Sequence, residues 1–76
     1  MQELVEYLVK VLVDEPDEVS VSVNEMAGIT TYEVSVADGD LGKVIGRQGR
    51  IANALRTVVK AAALKSGQRV GLEIAS

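Results

Sequence analysis

Apolar residues near the start of the chain recur every three or four positions. Within residues 2–13 they form a single stripe, with Glu3, Glu6 and Lys10 on the opposite side. This spacing predicts an amphipathic helix, and Pro16 ends it because proline does not continue a helix. The predicted stripe consists of Leu4, Val5, Leu8, Val11 and Leu12.

Two segments further along alternate strictly between apolar and polar residues. This period of two is the pattern of a half-buried strand, so residues 18–24 and a second segment around Tyr32 predict two strands. Residues 25–28 lie between them and end in Gly28, which favours a turn. The predicted inner faces are Val19, Val21 and Val23 in the first strand and Tyr32, Val34 and Val36 in the second.

The second half of the chain predicts two helices and a last strand. Asp38 or Asp40 is suited to cap a short helix over residues 41–45, and a Gly-x-x-Gly segment then interrupts the helical pattern. A longer helix is predicted over residues 50–65, with Gly67 at its C-terminal stop. The last strand places Val70, Leu72 and Ile74 on one face.

All three predicted strands have one apolar face and one polar face, so we expect helices on one side of the sheet only. The order α-β-β-α-α-β then describes a two-layer α+β sandwich with a three-stranded sheet. The 76 residues suffice for one small domain over residues 1–76. Because a core of this size is modest, a partner subunit would help to stabilise it.

Charge is divided unevenly along the chain. Residues 1–40 contain ten acidic residues and one basic residue, a net charge of −9. Residues 41–76 contain seven basic residues and one acidic residue, a net charge of +6. The overall charge of −3 argues against a nucleic-acid ligand, but screening lets a basic surface bind an anion on an acidic protein. The alternative is that one acidic and one basic surface arise by chance.

The composition excludes several kinds of chemistry. The chain has no cysteine and no histidine, so neither a thiolate nor an imidazole is present to hold a metal or to serve in a Ser-His or Cys-His arrangement. We therefore predict no enzyme activity, no catalytic residue, no metal site and no cofactor. No apolar run approaches the length of a membrane span, and the acidic N-terminus is unlike a signal peptide, so we expect a cytoplasmic protein without membrane contact.

The Gly-x-x-Gly segment has the properties of a phosphate-binding loop. Gly46 and Gly49 let another backbone approach without interference from a Cβ. The loop leads into the start of a helix, where free N–H groups favour phosphate. Arg47 and Arg50 add positive charge there, and Arg47 and Gln48 lie at the tip.

Helical projection of residues 50–65 separates two faces. One alternative for Arg56 and Lys60 is an ordinary solvated helix face; the other is a basic stripe that continues from the loop. Leu64 projects onto the polar face, and we favour packing at the helix end as its explanation. The projected core face is Ile51, Leu55, Val58, Val59 and Ala62, and the opposite face is Arg50, Asn53, Arg56, Thr57 and Lys60.

Residues 44–52 read Val-Ile-Gly-Arg-Gln-Gly-Arg-Ile-Ala, which resembles the signature of KH domains, aliphatic-Ile-Gly-x-x-Gly-x-x-aliphatic. The one departure is the small Ala52 at the last position, beside the bulky Ile51. The predicted order of elements resembles the type II arrangement of bacterial KH domains. The chain length and the stretch from Asp38 through Ala63 are similar to the KhpA family of small bacterial RNA-binding proteins with a single KH domain.

The resemblance implies a loop that clamps the backbone of about four nucleotides of single-stranded RNA, with their bases in an adjacent aliphatic groove. It implies backbone contacts from Gly46, Arg47, Gln48 and Gly49, flanking phosphate contacts from Lys43 and Arg50, and groove contacts from Ile45 and Ile51. Asn53, Arg56 and Lys60 extend this RNA-binding site along the helix. With only two aromatic residues in the chain, base stacking is nearly absent, so binding should be weak and lightly sequence-selective.

The resemblance also implies partners. Members of the family bind RNA, self-associate and pair with a larger RNA-binding protein that carries its own KH domain, so a homodimer or such a heterodimer is expected. The role implied is that of a post-transcriptional regulator or RNA chaperone. The alternative is an interaction module that dimerises or recruits a partner and has little RNA affinity alone. The two interpretations are compatible, because a dimer gains avidity from two weak sites.

Overall fold

The computed structural model describes residues 1–75 and has the predicted order of elements. Three 3-10 turns lie in the connections, at Pro16–Glu18, Asp38–Asp40 and Arg47–Gly49. The predicted α+β class is confirmed. The helices and strands are α1 (Gln2–Lys10), β1 (Ser20–Met26), β2 (Ile29–Ser35), α2 (Leu41–Ile45), α3 (Arg50–Leu64) and β3 (Val70–Ala75).

The sheet has the strand order β1-β2-β3, with β2 in the centre. β1 and β2 form an antiparallel hairpin in which Val21 lies opposite Val34. β2 and β3 are parallel, with Tyr32 opposite Leu72. Because a parallel pair needs a crossover connection, α2 and α3 must cover the sheet between β2 and β3. The Gly-x-x-Gly loop lies within this crossover, where α2 meets α3.

The core lies between the three helices and one face of the sheet. The opposite face carries exposed polar side chains such as Ser22 and Glu33. Helices therefore cover one side of the sheet only, as predicted. The buried residues of the core cluster are Val5, Val9, Tyr32, Val34, Val44, Leu55, Val59, Ala63, Val70 and Leu72.

The first helix is shorter than predicted, and its core face differs. α1 ends at Lys10 instead of continuing to residue 13. The N–H of Leu12 bonds to the carbonyl of Val9 at 3.0 Å, a three-residue step that tightens the chain into a turn. Val9 is fully buried whereas Val11, predicted to lie in the stripe, is 62% exposed.

The hairpin is longer than predicted at its turn. Ala27 and Gly28 both have positive φ, 53° and 79°, and form a two-residue connection. Strand pairing therefore continues to Met26 opposite Ile29, two residues beyond the predicted end of β1. Val23 is on the inner face but is 45% exposed, so the predicted burial of this residue is wrong.

Helix α3 is rotated relative to the predicted core face. Val58, predicted to face the core, is 47% exposed. The rotation is about 60° at ~100° per residue. Alanines allow the helix to lie close to the sheet, whereas the projection gave most weight to the large aliphatic residues. The buried residues of α3 are Ala52, Leu55, Val59 and Ala63.

The C-terminal stop of α3 is confirmed at Gly67, whose φ is 69°. The N–H of Gly67 bonds to the carbonyl of Leu64 at 3.1 Å, and the N–H of Gln68 bonds to the carbonyl of Ala63 at 3.0 Å. This pair of bonds is a Schellman motif. Leu64 itself is 75% exposed, so the predicted packing of its side chain at the helix end is wrong.

Candidate nucleic-acid interface

Gly46 is required at its position for two separate reasons. Its φ of 76° lies in the region that disfavours side chains. A Cβ on Gly46 would also lie 2.6 Å from Cγ1 and 2.9 Å from the backbone nitrogen of Ile51. The chain therefore doubles back tightly between α2 and α3, with Ile51 packed directly against the glycine.

Two further residues of the loop have a left-handed backbone conformation. Gln48 has φ 57° and Gly49 has φ 73°. The N–H of Gly49 bonds to the carbonyl of Gly46 at 3.2 Å and closes the turn. A Cβ on Gly49 would meet only Nδ2 of Asn53 at 4.0 Å, so this glycine is needed for its φ and not for space. The side chains of Arg47 and Gln48 are exposed at the tip.

The loop presents the start of α3 to solvent as a positively charged end. Gly49 occupies the N-cap position and no side chain caps the helix there. The first turn has no acidic residue, and Arg50 is exposed. The N–H dipoles of the first turn and the charges of Arg47 and Arg50 therefore act in the same direction, which favours an anion.

A buried carboxylate anchors the segment before the loop. Asp40 is 3% exposed and accepts hydrogen bonds from the N–H groups of Asp14 and Glu15 at 3.2 and 3.0 Å. It occupies the N-cap position of α2 but makes no side-chain cap hydrogen bond, so the predicted capping role of the side chain is wrong. The carboxylate instead ties the connection after α1 to the start of α2.

Lys43 completes this anchor. Its ammonium group donates to the carboxylate of Asp14 and lies 3.6 Å from Oδ1 of Asp40. Burial disfavours ionisation of Asp40, but the N–H groups of Glu15 and Asp14 and the charge of Lys43 outweigh burial and hold the pKa of Asp40 below its ordinary value. The hydrogen bond to Asp14 raises the pKa of Lys43. Lys43 is therefore charged at neutral pH but already paired.

Arg56 bridges α3 and the edge strand β3. Its Nε–H donates to the carbonyl of Leu72 at 3.0 Å, and its Nη1–H donates to Oδ1 of Asn53 at 3.1 Å. Arg56 is half-buried, so the alternative of a wholly solvated side chain does not apply to it. The remaining N–H groups of the guanidinium are left at the rim between helix and strand.

Two flanks of α3 are exposed and differ in chemistry. The flank toward β3, called the basic flank below, consists of Asn53, Arg56, Thr57 and Lys60. The flank toward α1, called the apolar flank, borders a hollow with an apolar lining and Arg50 at its edge. The residues of the apolar flank are Leu8, Val11 and Leu12 of α1 and Ile51, Ala54 and Val58 of α3.

The predicted site residues divide between these surfaces. The structure brings together Arg47, Gln48, Arg50, Asn53, Arg56 and Lys60 along the loop and the basic flank. Ile45 is half-buried at the end of α2, Ile51 lies on the apolar flank, and Lys43 is directed at two carboxylates. Sequence reasoning missed the anchoring role of Asp40 and the use of the Leu72 carbonyl. The only signal for Asp40 was its place before a short helix.

Two further findings concern residues 1–75. They contain no cluster of three or more His, Cys, Asp or Glu side chains that could hold a metal ion. No helix among them has both the length and the apolar character needed to cross a membrane.

A Gly-x-x-Gly loop between two helices, packed on a three-stranded sheet of this topology, defines a KH domain. A sequence model of the family described as "KhpA/KhpB, KH domain" matches residues 2–74. The match covers nearly the whole chain. The chain therefore belongs to the KhpA/KhpB family of KH domains.

Curated relatives agree with this family over their full length. The chain is 57% identical over 76 residues to the RNA-binding protein KhpA of Caldanaerobacter subterraneus, with 97% of this chain and 99% of the relative covered. It is 54% identical to the RNA-binding protein KhpA of Clostridium perfringens, with the same coverage. The identity to the RNA-binding protein KhpA of Listeria monocytogenes is 46%, with 97% of each chain covered.

Solved structures show the same fold inside a longer protein. Aquifex aeolicus Era bound to GDP and AlF4⁻ superposes with a TM-score of 0.72 at 21% identity, and 96% of this chain is covered. A structure of Era with MgGDPNP and nucleotides 1506–1542 of 16S ribosomal RNA superposes with a TM-score of 0.62 at 23% identity. This chain spans 28% of each Era chain, and the likeness shows the fold alone.

Proposed function

We propose that this chain is an RNA-binding protein of the KhpA type that holds the backbone of single-stranded RNA at residues 46–49. The observation that carries the proposal is the loop itself. Its glycines keep side chains away from the approach path, while Arg47 and Arg50 place charge at an uncapped helix start. The basic flank of α3 continues the positive surface from there.

Each predicted site residue receives a role in this proposal. Gly46, Arg47, Gln48 and Gly49 contact the RNA backbone, and Arg50 binds a flanking phosphate. Ile45 forms an aliphatic wall for the bases, while Ile51 packs against Gly46 and holds the loop in place. Asn53, Arg56 and Lys60 line the path along α3. Lys43 acts on phosphate more weakly than Arg50, because its ammonium is already paired with Asp14 and Asp40.

The family and the composition support the wider role. Curated relatives carry the name RNA-binding protein, and the chain has no histidine or cysteine, so we propose a non-enzymatic protein without a cofactor. Its place is the cytoplasm, where it serves as a post-transcriptional regulator or RNA chaperone. The two aromatic residues are poorly suited to read bases, since Tyr32 is buried and Tyr7 is on α1. Recognition therefore rests on the backbone.

The direct test is fluorescence anisotropy of a short labelled single-stranded RNA at low salt. The wild type is compared with the double variant Arg47→Asp and Gln48→Asp, after circular dichroism has shown that both are folded. Loss of binding in the variant is expected, because two carboxylates at the tip repel phosphate. Equal binding by both proteins would place the contact elsewhere and contradict the loop as the site.

Salt provides an independent measure of the same contact. For single strands, the logarithm of affinity falls with the logarithm of salt concentration by about 0.7 per phosphate neutralised. Three to four phosphate contacts therefore give a slope of roughly −2 to −3. A flat salt profile would contradict the electrostatic part of the proposal.

We also propose that the chain dimerises through the apolar flank, with itself or with the KH domain of a larger RNA-binding protein. Val11 and Val58 are 62% and 47% exposed on neighbouring helices there, next to the half-buried Leu8 and Leu12. Contiguous exposed apolar surface of this kind marks an interaction site. A two-fold pairing of the flank with a second copy would cover these side chains, with Arg50 at the edge of the contact.

Size-exclusion chromatography with light scattering tests the dimer. A molar mass of twice 8.1 kDa is expected at micromolar concentrations. A monomer throughout the high micromolar range would contradict self-association. Such a monomer would then be mixed with the larger KH-domain partner to test the heterodimer.

A further inference from the structure

Leu64 is the most exposed large apolar side chain among residues 1–75. It belongs to neither the core nor the apolar flank. Along α3 it follows Lys60 by four residues, and Lys60 follows Thr57 by three, so Leu64 continues the basic flank toward the C-terminal end of the helix. Single exposed aliphatic side chains are common on protein surfaces, so the exposure of Leu64 gains meaning only from the hollow and the charges around it.

The surroundings of Leu64 form a hollow at the junction of α3 and β3. Its walls are Lys60, Leu64, Gln68, Arg69 and Val70, and its lining is mostly apolar. The Schellman motif at the end of α3 fixes the position of Gln68. The N–H of Thr30 bonds to the carbonyl of Arg69 at 3.0 Å, so β2 holds the other wall. The hollow is therefore framed by ordered backbone.

The rim of the hollow carries two cations, and an acidic side chain, Glu25, accepts a hydrogen bond from the hydroxyl of Thr30, which lies opposite Val70. Among residues 1–75, ion pairs within 4.0 Å involve only Lys43, which leaves Lys60 and Arg69 at the rim without a carboxylate partner. Glu73 is the one acidic residue in the second half of the chain. It is exposed on β3 beside the buried Leu72, so it lies on the open face of the sheet and not toward the hollow.

From this arrangement we infer that the hollow is a further nucleotide subsite, in which a base lies against Leu64 and an adjoining phosphate is bound by Lys60 and Arg69. The inference rests on the proposed RNA-binding function and extends the site beyond the clamped loop. A protein partner is the less suitable occupant, because one leucine between two unpaired cations complements a polyanion with flat apolar bases better than an apolar protein surface.

Distance along the helix agrees with this assignment. From Arg50 to residues 60–64 the helix rises about 15–21 Å at ~1.5 Å per residue. A stacked strand covers that distance with about four to six nucleotides at ~3.4 Å each. The loop clamps about four nucleotides in a KH domain. The subsite therefore receives a nucleotide that a four-nucleotide RNA does not supply but an eight-nucleotide RNA does.

The test compares unlabelled oligouridylates of four and eight nucleotides as competitors of a labelled RNA, on the full chain. Two variants remove the subsite: Leu64→Ser and Arg69→Gln. Lys10→Gln is the matched control for loss of a cation, since Lys10 is exposed on α1. Because all of these side chains are exposed, the variants should fold, which circular dichroism checks.

The wild type should bind eight nucleotides more tightly than four. Leu64→Ser should weaken binding of the longer RNA by about fivefold, because serine removes the apolar surface that the base covers, and leave the shorter RNA unaffected. Arg69→Gln should reduce the salt slope for the longer RNA by up to about 0.7, the value for one phosphate that is no longer neutralised. Lys10→Gln should change neither.

Three results would overturn the inference. First, both variants could bind the longer RNA with the affinity and salt slope of the wild type. This result would reject the subsite and leave the loop proposal intact. A change in molar mass of Leu64→Ser without a change in RNA affinity would make the hollow a protein contact. Failure of the wild type to bind either RNA would reject the proposed function and the subsite together.

Discussion

The two exposed flanks of α3 are built from one helix but present opposite chemistry. The basic flank carries Arg56 and Lys60 toward β3 and follows directly from the loop. The apolar flank carries Val58 toward α1 and is continued by Val11. Only the third side of the helix, centred on Leu55 and Val59, belongs to the core.

This difference shows how a small domain separates its tasks. A chain of 76 residues has little surface to spare, and in our proposal a single helix serves the core, the RNA site and the partner surface on three sides. Substitutions on one flank should therefore change one property and leave the other. Only residues at the start of α3, which both flanks share, should affect the two together.

The largest effect is expected from Gly46→Ala, because this change distorts the loop before α3, where both flanks begin. The new Cβ would collide with Ile51 and sit at an unfavourable φ. We expect a loss of about 2–4 kcal/mol of unfolding free energy, measured by urea denaturation, and loss of RNA binding. The matched control is Gly49→Ala, where space is free and only ~1–2 kcal/mol should be lost. Equal losses would contradict the tight turn at Gly46.

The next largest effect is expected on the affinity of the dimer, which should depend on the apolar flank and not on the basic flank. Val58→Asp should weaken the dimer by at least about a hundredfold, because an unpaired buried charge costs ~3 kcal/mol or more. Affinity for a four-nucleotide RNA should stay at the wild-type value. The control is Val23→Asp, which places the same charge on a valine of similar exposure, 45% against 47%, away from this flank. A dimer that survives Val58→Asp would reject the apolar flank as the interface.

A smaller effect tests the basic flank through the bond between Arg56 and the Leu72 carbonyl. Arg56→Lys keeps the charge but removes the Nε–H donor, so unfolding free energy should fall by about 1–2 kcal/mol with little change in the salt slope of RNA binding. Arg56→Gln should also reduce that slope by ~0.7. If Arg56→Lys binds RNA and resists denaturant like the wild type, the bond to β3 has no role in shaping the flank.

A finer comparison concerns two cations on either side of the loop. Arg50→Gln should reduce the salt slope of RNA binding by about 0.7, because Arg50 is exposed at the start of α3, where we propose that it binds a flanking phosphate. Lys43→Gln should change the slope less and stability more, since Lys43 is paired with Asp14 and Asp40. The reverse order would show that Lys43 leaves its carboxylates to bind RNA.

The smallest effect is a pH dependence of the stability that Asp40 contributes by joining the connection after α1 to the start of α2. Because the pKa of Asp40 is lower in the folded chain than its unfolded value near 3.8, its contribution to stability is present above that pH and is lost as pH falls through the folded pKa. Asp40→Asn should therefore be less stable than the wild type at pH 7, and the gap should narrow below pH 3.8. A gap that is constant with pH would contradict an ionised Asp40 in the fold.

Much of the fold was predictable because local periodicity and global packing agree. The alternation around Tyr32 and Val34 predicted the buried strand, and Gly67 predicted the end of α3, since each pattern has one solution in a two-layer fold. Prediction failed where burial depends on a neighbouring element. Val9 and Val11 are equally apolar, and only the packing of α1 on the sheet decides that Val9, one helical turn after the buried Val5, enters the core.

The geometry of the glycine loop was predictable to the same degree. Gly46 and Gly49 stood out because a short glycine spacing between helical segments has a specific backbone use. The pairing of Lys43 with Asp14 spans 29 positions of sequence, so no local pattern predicts it. The hydrogen bond from Arg56 to the Leu72 carbonyl joins α3 to β3 across 16 positions of sequence, so no local pattern predicts it either.

The sequence by itself therefore determined the order of the elements, the loop and the sign of the charge around it. These follow from nearest-neighbour preferences and from residue types, which are fixed along the chain. Only the tertiary structure decided which cations are free, which side of α3 meets the sheet, and that Leu64 stays exposed. Such properties depend on how far apart two distant segments come to lie, and packing of the whole chain sets those distances.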